Sequence, residues 1–245
     1  TWTGLGTSTS FFTTQCSNLI WNGTMWVAVG QGTNSIAYSY NGVNWTGLGT
    51  SIFSGEGLGV SWNGTMFVAV GSGTNTIAYS YNGIVWTGLG ATIFTSYGNN
   101  ISWNGTMFVA VGGVTNSIAY SYNGITWIGN GATTFNYYGS CIAWNGTMWI
   151  AGGASLSAGV NTLAYSYNGI NWNLLGASIF YSSCIGIAWN GTIWVAVGSA
   201  TNSIGYSYDG INWTGIGATI FTGAGQGITW NGTYWIAAGY GGGIN

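Results

Sequence analysis

Residues Trp62 to Trp86 read W-N-G-T-M-F-V-A-V-G-S-G-T-N-T-I-A-Y-S-Y-N-G-I-V-W, and this stretch decides the fold. Copies begin at Trp21, Trp103, Trp144, Trp189 and Trp230, spaced by 41 residues with one interval of 45. A fixed period near 40 residues marks propellers and solenoids. Each copy carries two Asn-Gly pairs, here Asn63-Gly64 and Asn82-Gly83. Asn-Gly suits both central positions of a type I′ turn, so each pair predicts a two-residue hairpin. A Gly- and Asn-rich loop over 71–75 turns the chain between them. The expected unit is a four-stranded antiparallel meander, with strands A to D. Strand B, from Met66 to Val70, is apolar at every position. That pattern fits a sheet covered on both faces, as a propeller blade is by its neighbours.

The 245 residues come close to six such units, which predicts one all-β domain over 1–245: a six-bladed β-propeller of four-stranded blades. Trp2-Thr3-Gly4-Leu5-Gly6 copies Trp45-Thr46-Gly47-Leu48-Gly49. The N-terminal segment is therefore expected to supply strand D of the last blade, closing the ring and hiding its free edges. No A-Y-S-Y segment follows Trp230. Either Ile244-Asn245 forms a stunted strand C, or the chain belongs to a longer protein, and both stand open.

Charge removes whole classes of function. The chain has no Lys, Arg or His, and Glu56 and Asp209 are its only acidic residues. Nucleic acid and anionic lipid both need cations to meet their phosphates, so neither is an expected partner. The apolar runs are too short for a membrane helix or for the strands of a membrane barrel, and no membrane insertion is expected. An uncharged surface lacks the repulsion that keeps proteins apart, so self-association is expected unless glycans intervene. Cys16, Cys141 and Cys184 are an odd set; a Cys141–Cys184 bridge and buried free thiols are both compatible with them.

Catalytic chemistry finds no foothold. Glu56 falls in a D–A connection and Asp209 in a C–D turn, at opposite ends of the expected disc, which excludes a carboxylate pair. Hydroxyl nucleophiles have no His or Lys to activate them, and Thr1 could serve only through its own amine. Metal-ligating clusters are missing from the sequence, so neither metal nor cofactor is expected. The protein is read as a non-enzyme.

The segment Ser39-Tyr40-Asn41-Gly42-Val43-Asn44-Trp45, repeated through Ser207-Tyr208-Asp209-Gly210-Ile211-Asn212-Trp213, resembles the Asp-box of bacterial neuraminidase-repeat propellers, S-x-D-x-G-x-x-W. In that family the box forms the turn between the third and fourth strands. Here the residue before Gly is lacking, and Asn replaces Asp in four of five copies. The resemblance implies structural turns at Ser39, Asn41, Gly42 and Trp45 and at Ser207, Asp209, Gly210 and Trp213. Sialidase activity is not implied, because that family's arginine cluster has no counterpart in a chain without Arg. Similar repeats occur in surface proteins of phages, bacteria and giant viruses.

Two further sets of residues point outward. N-x-T sequons recur in the A–B turns at Asn22, Asn63, Asn104, Asn145, Asn190 and Asn231, with further N-x-T/S sequons at Asn44, Asn100 and Asn212. A type I′ turn explains the Asn-Gly but not the Thr, which makes these Asn residues candidates for glycosylation. The D–A connections vary between copies, and variable loops on a rigid frame are where binding usually resides. Tyr97, Asn99, Asn100, Tyr137, Tyr138 and Tyr181 are accordingly the expected ligand-binding residues, since rings stack on sugars and amides bond hydroxyls. The expected function is non-catalytic recognition of carbohydrate or of a protein surface, displayed extracellularly or on a virion. The alternative is a structural subunit of a coat or fibre.

Overall fold

Strand B is apolar at consecutive positions because both of its faces are covered. In the computed structural model, which describes residues 11–155 and 160–241, Phe67 to Gly71 are all buried. Each fully buried Val or Phe there contributes roughly 1.5–3 kcal/mol. Among the described residues there is no helix, and the strands pair antiparallel.

The first repeat forms β1 (Gln15–Trp21), β2 (Trp26–Gln31), β3 (Ile36–Ser39) and β4 (Thr46–Gly47). The second forms β5 (Gly57–Trp62), β6 (Phe67–Gly71), β7 (Ile77–Ser80) and β8 (Thr87–Gly88), and the third β9 (Tyr97–Trp103), β10 (Phe108–Gly113), β11 (Ile118–Ser121) and β12 (Ile128–Gly129). The fourth supplies β13 (Tyr138–Trp144), β14 (Trp149–Ala154), β15 (Leu163–Ser166) and β16 (Asn173–Leu174). The fifth supplies β17 (Ser183–Trp189), β18 (Trp194–Ser199), β19 (Ile204–Ser207) and β20 (Thr214–Gly215), and the sixth β21 (Ala224–Trp230) and β22 (Trp235–Tyr240). The meander expected from the repeat is therefore observed, with strand D reduced to two residues.

The chain divides into two compact units, Thr1–Ala110 with Ser121–Trp127 and Val111–Tyr120 with Ile128–Asn245. In the first, β1, β5 and β9 lie side by side, and Ser72 at the end of β6 bridges to Tyr97. In the second, β13, β17 and β21 do the same, and Ala154 pairs Ser183 while Ser199 pairs Ala224. These bridges join repeats four to six into one ten-stranded, curled sheet.

Glycine sets the packing at the end of strand B. A Cβ at Gly71 would stand 2.9 Å from the Phe53 ring, and one at Gly198 would stand 2.7 Å from Phe180. Both phenylalanines are wholly buried. Any residue larger than glycine at these positions overpacks the phenylalanine. Between the strands, a side-chain amide stitches the turns: Asn75 Nδ2 donates to the Ile52 carbonyl at 2.7 Å, and its Oδ1 accepts from Gly90 N–H at 2.8 Å.

Neither Asn-Gly pair makes the expected two-residue type I′ hairpin. That turn needs positive φ at both central residues. Here φ is +98° at Gly64 and +72° at Gly83, and among the described residues Ala200 is the one non-glycine with positive φ. At the first pair the central residues are Gly64 and Thr65, flanked by an Asn63 N–H to Met66 carbonyl bond of 3.2 Å. Positive φ at the first central position alone is the type II′ pattern. At the second pair, Tyr79 pairs Thr87 and seven residues intervene.

The N-terminal segment Trp2–Gly6, Thr1 and Ile244-Asn245 lie outside the described residues, as does part of the longer loop in the fourth repeat. Strands β1 and β22 expose side chains that their counterparts bury. Ile236 in β22 is 52 % exposed, whereas Ile150 at the same place in β14 is fully buried. Leu19 and Trp21 in β1 are exposed as well.

Candidate functional site

The S-Y-N-G-x-x-W segments are turns held by their own side chains. Asn41 Oδ1 accepts from Val43 N–H at 3.0 Å and Asn44 N–H at 2.8 Å. Gly42 N–H donates to Ser39 Oγ at 2.9 Å, and Trp45 Nε1 donates to the Gly42 carbonyl at 3.1 Å. In the fifth repeat Asp209 fills the Asn place and accepts from Asn212 N–H at 2.7 Å and Ile211 N–H at 2.9 Å, with Gly210 N–H on Ser207 Oγ and Trp213 Nε1 on the Gly210 carbonyl. The Asn212 backbone bond, its side-chain bond and the Ile211 bond hold the Asp209 carboxyl well below the usual carboxylate range. Side-chain oxygens that bond the backbone two and three residues on make Asx-turns, and Asn and Asp do this equally well. The other acidic group, Glu56, accepts from Gln15 Nε2 at 3.2 Å. No group of His, Cys, Asp and Glu among the described residues could hold a metal.

Each segment also carries a tyrosine that the sequence reading had absorbed into the turn. Tyr40, Tyr81, Tyr122, Tyr167 and Tyr208 are 58 to 69 % exposed. Tyr38 stands edge-on to Tyr40 with centroids 5.9 Å apart, and Tyr165 to Tyr167 at 5.8 Å. The inner ring is half-buried and fixes the outer one at the surface. Five equivalent exposed rings could have been found from the I-A-Y-S-Y alternation, which sends the two tyrosines to one side of the strand.

The sequon turns explain their threonine. Asn63 Oδ1 accepts from Thr65 N–H at 2.9 Å, Met66 N–H at 2.8 Å and Thr65 Oγ1 at 3.0 Å. The backbone pair of bonds recurs at Asn22, Asn104, Asn145, Asn190 and Asn231, and the hydroxyl bond at Thr24 and Thr147. Thr thus has a structural use in the turn, which the sequence reading did not give it.

The expected ligand-binding residues fall three in each compact unit, Tyr97, Asn99 and Asn100 in the first and Tyr137, Tyr138 and Tyr181 in the second. Tyr97, Asn99 and Asn100 are strand residues of β9 rather than loop residues, and all are half-buried. Bulges in β1, β5, β13, β17 and β21 carry strand A into what reads as loop; β5 shifts register between Gly57 and Gly59. Tyr138 opens β13 and touches Tyr137, with centroids 4.7 Å apart. Burial pushes the Tyr138 phenol up. Tyr137 and Tyr181 are in loops, 43 % and 51 % exposed.

A hollow away from these residues lies between two repeats. A cleft of about 520 Å³ separates Asn130, Thr133 and Thr134, beyond strand D of the third repeat, from Asn171, Trp172 and Leu174 of the fourth. Its counterpart one repeat earlier, between Leu89, Thr92 and Ile93 and Ile125 to Trp127, measures about 290 Å³.

No family model matches the chain, and no curated protein matches it. Among solved structures the chain is similar to the computationally designed Ika8 protein, in a crystal packing in P63, with a TM-score of 0.62 and 12 % sequence identity. The match spans 91 % of this chain and 67 % of that one, and at this identity it is a likeness of fold alone.

Proposed function

We propose that the protein is a non-catalytic recognition module, a six-bladed β-propeller closed by its N-terminal strand and displayed extracellularly or on a virion, with carbohydrate as its ligand. The observation that carries this reading is the exposed tyrosine held beside an Asn or Asp in each turn segment, on a surface almost without charge. A ring at the surface offers an apolar face, and the neighbouring amides and hydroxyls offer donors and acceptors. Repetition of one weak contact over several repeats raises avidity without any new chemistry. The Asp-box-like turns and the likeness to a designed fold support the architecture, and the repeat count supports six blades. Screening the protein on an array of neutral and acidic glycans tests the reading; binding to none of them overturns it.

A structural subunit of a coat or fibre is the second reading, favoured by the exposed apolar side chains of β1 and β22. Sedimentation over a hundredfold concentration range separates the two, since a subunit assembles without ligand. Glycans on the six A–B turn asparagines would oppose such assembly. An intact mass equal to the bare 25.5 kDa chain, measured on protein from a glycosylating host, removes that modification.

A further inference from the structure

We propose that the cleft between the third and fourth repeats is a binding site for a neutral saccharide of one or two pyranose units. This inference rests on the reading that the protein recognises carbohydrate, and assigns that recognition to a place no turn motif predicts.

Three positions lining the cleft depart from what the other repeats place there. Asn130 stands where the second and fourth repeats have Leu89 and Leu175, and Thr134 where they have Ile93 and Ile179. Leu174 stands where all the other D strands carry glycine. The three lie far apart in sequence, yet they meet in one hollow. In the second repeat the apolar residues Leu89 and Ile93 line the smaller space, and Trp127 is buried beside them. In the third, the same positions carry an amide and a hydroxyl, and Trp172 is only half-buried.

The polar groups are set for a ligand rather than for each other. Asn130 Nδ2 donates to the Ile170 carbonyl at 2.6 Å, which fixes the amide and leaves its Oδ1 as an acceptor. Thr133 Oγ1 donates to the Asn130 carbonyl at 3.3 Å. Thr134 is 5 % exposed, and its carbonyl accepts from Asn161 Nδ2 at 2.9 Å, but its hydroxyl engages no described residue. That hydroxyl is not among the described buried atoms that lack a partner, so it opens to the cleft, where a ligand hydroxyl can take the place of water. Trp172 is locked by its Nε1 bond of 3.2 Å to the Gly169 carbonyl, so a preformed ring meets the apolar face of a sugar.

The ligand class follows from size and charge. About 520 Å³ falls in the range of small-ligand sites. No lining residue is charged, so an ionised ligand would lose its hydration with no counter-charge in return. Uronic and sialic acids are thereby disfavoured against neutral hexoses.

The test is calorimetric titration of the full chain with neutral mono- and disaccharides, in the parent, in Asn130→Leu/Thr134→Ile and in Thr134→Val. The double variant installs residues that sibling repeats already use, so it folds; the single one removes only the hydroxyl. At least tenfold weaker binding in both variants, with unchanged melting temperature, is the expected result. Binding of a saccharide that both variants retain overturns the cleft while leaving the recognition function standing. If the parent binds no neutral saccharide, this site falls, and the carbohydrate reading falls with it only when acidic glycans fail to bind as well.

Discussion

Cys184 in β17 occupies the space that Gly152 in β14 leaves open: a Cβ on Gly152 would stand 2.6 Å from both the Cys184 and Cys141 thiols. The second repeat solves the same problem in reverse. There the B strand carries Val70, and glycines sit opposite, with a Cβ on Gly59 or Gly98 at 3.1 and 2.8 Å from the valine. One large and two small residues have been exchanged for one small and two larger ones, at nearly constant volume. The two thiols are 3.9 Å apart and buried, and burial pushes the Cys184 thiol up, so it remains protonated.

Gly152→Val should therefore cost about 1–3 kcal/mol by overpacking. The triple variant Gly152→Val/Cys141→Gly/Cys184→Gly rebuilds the Val70 arrangement and should recover most of that loss. Chemical denaturation of the parent, the single and the triple variant measures the coupling. Equal destabilisation in single and triple would show that the three positions do not share one volume.

How far the sequence led depends on what a residue type encodes. Period and the unbroken apolar run of Met66 to Val70 reported the strands, because burial on two faces leaves no other pattern. Turn type was misread at Asn63, since Asn-Gly suits a type I′ turn, whereas the Asn63 side chain caps Thr65 and Met66 and leaves positive φ to Gly64 alone. Asn99 and Asn100 read as loop because Gly98 and two consecutive polar residues break the alternation that marks a strand. The cleft was invisible because it depends on Asn130, Thr134 and Leu174, residues up to 44 positions apart that are ordinary one at a time. Only the fold places them together.

Trp149 and Trp194 bury their indole N–H groups without a hydrogen-bond partner among the described residues. Sibling repeats place Phe67 and Phe108 there. An unsatisfied buried N–H costs about 1–3 kcal/mol, which offsets the apolar area that the larger ring adds. Trp149→Phe and Trp194→Phe should each leave stability within about 1 kcal/mol of the parent, a melting shift of no more than about 4 °C. A loss above about 3 kcal/mol would mean that the indole is satisfied or that the cavity dominates.

Stability should be flat between about pH 5.5 and 8, because the sequence has no His and the shifts of Asp209 and Cys184 carry both groups away from that window. Asp209 is held below its ordinary value of 3.8, so the stability it contributes is present above that value and lost as pH falls through the folded one. Cys184 is raised above 9.0, so its contribution is present below that value and lost at higher pH. Thermal melts from pH 2 to 10 should show a plateau with two falling limbs, and Asp209→Asn should soften the acid limb. Asn occupies that place in four other turns, so the variant should match the parent at pH 7. A slope within the plateau would reveal a titrating group other than these.

Ring closure can be tested through Cys16 and Ala238, because the packing rule at Gly152 predicts which ends fit. A strand A that begins with glycine meets a valine of the preceding B strand: Gly57 meets Val29, and Gly225 meets Val197. Cysteine replaces that glycine in two strands, at Cys184 and Cys16, and the valine is shortened in two, at Gly152 and Ala238. Gly152 already serves Cys184, so the closed ring of six proposed above would set the remaining pair, Ala238 in β22 and Cys16 in β1, against each other. A Cβ on Gly152 would lie 2.9 Å from the Cys184 Cβ, inside the roughly 3.5–4.5 Å of a disulfide, so Gly152→Cys bridges once the strands part slightly and serves as the positive control for oxidation. Under the closure proposal, mild diamide oxidation of Ala238→Cys should give a bridged monomer that migrates faster without reductant and melts higher. Cys16→Ser in the same background should abolish the shift. Disulfide-linked ladders instead of a bridged monomer would show that the end faces join between copies. Free thiols, with the Gly152→Cys control bridged, would show that these two residues never meet.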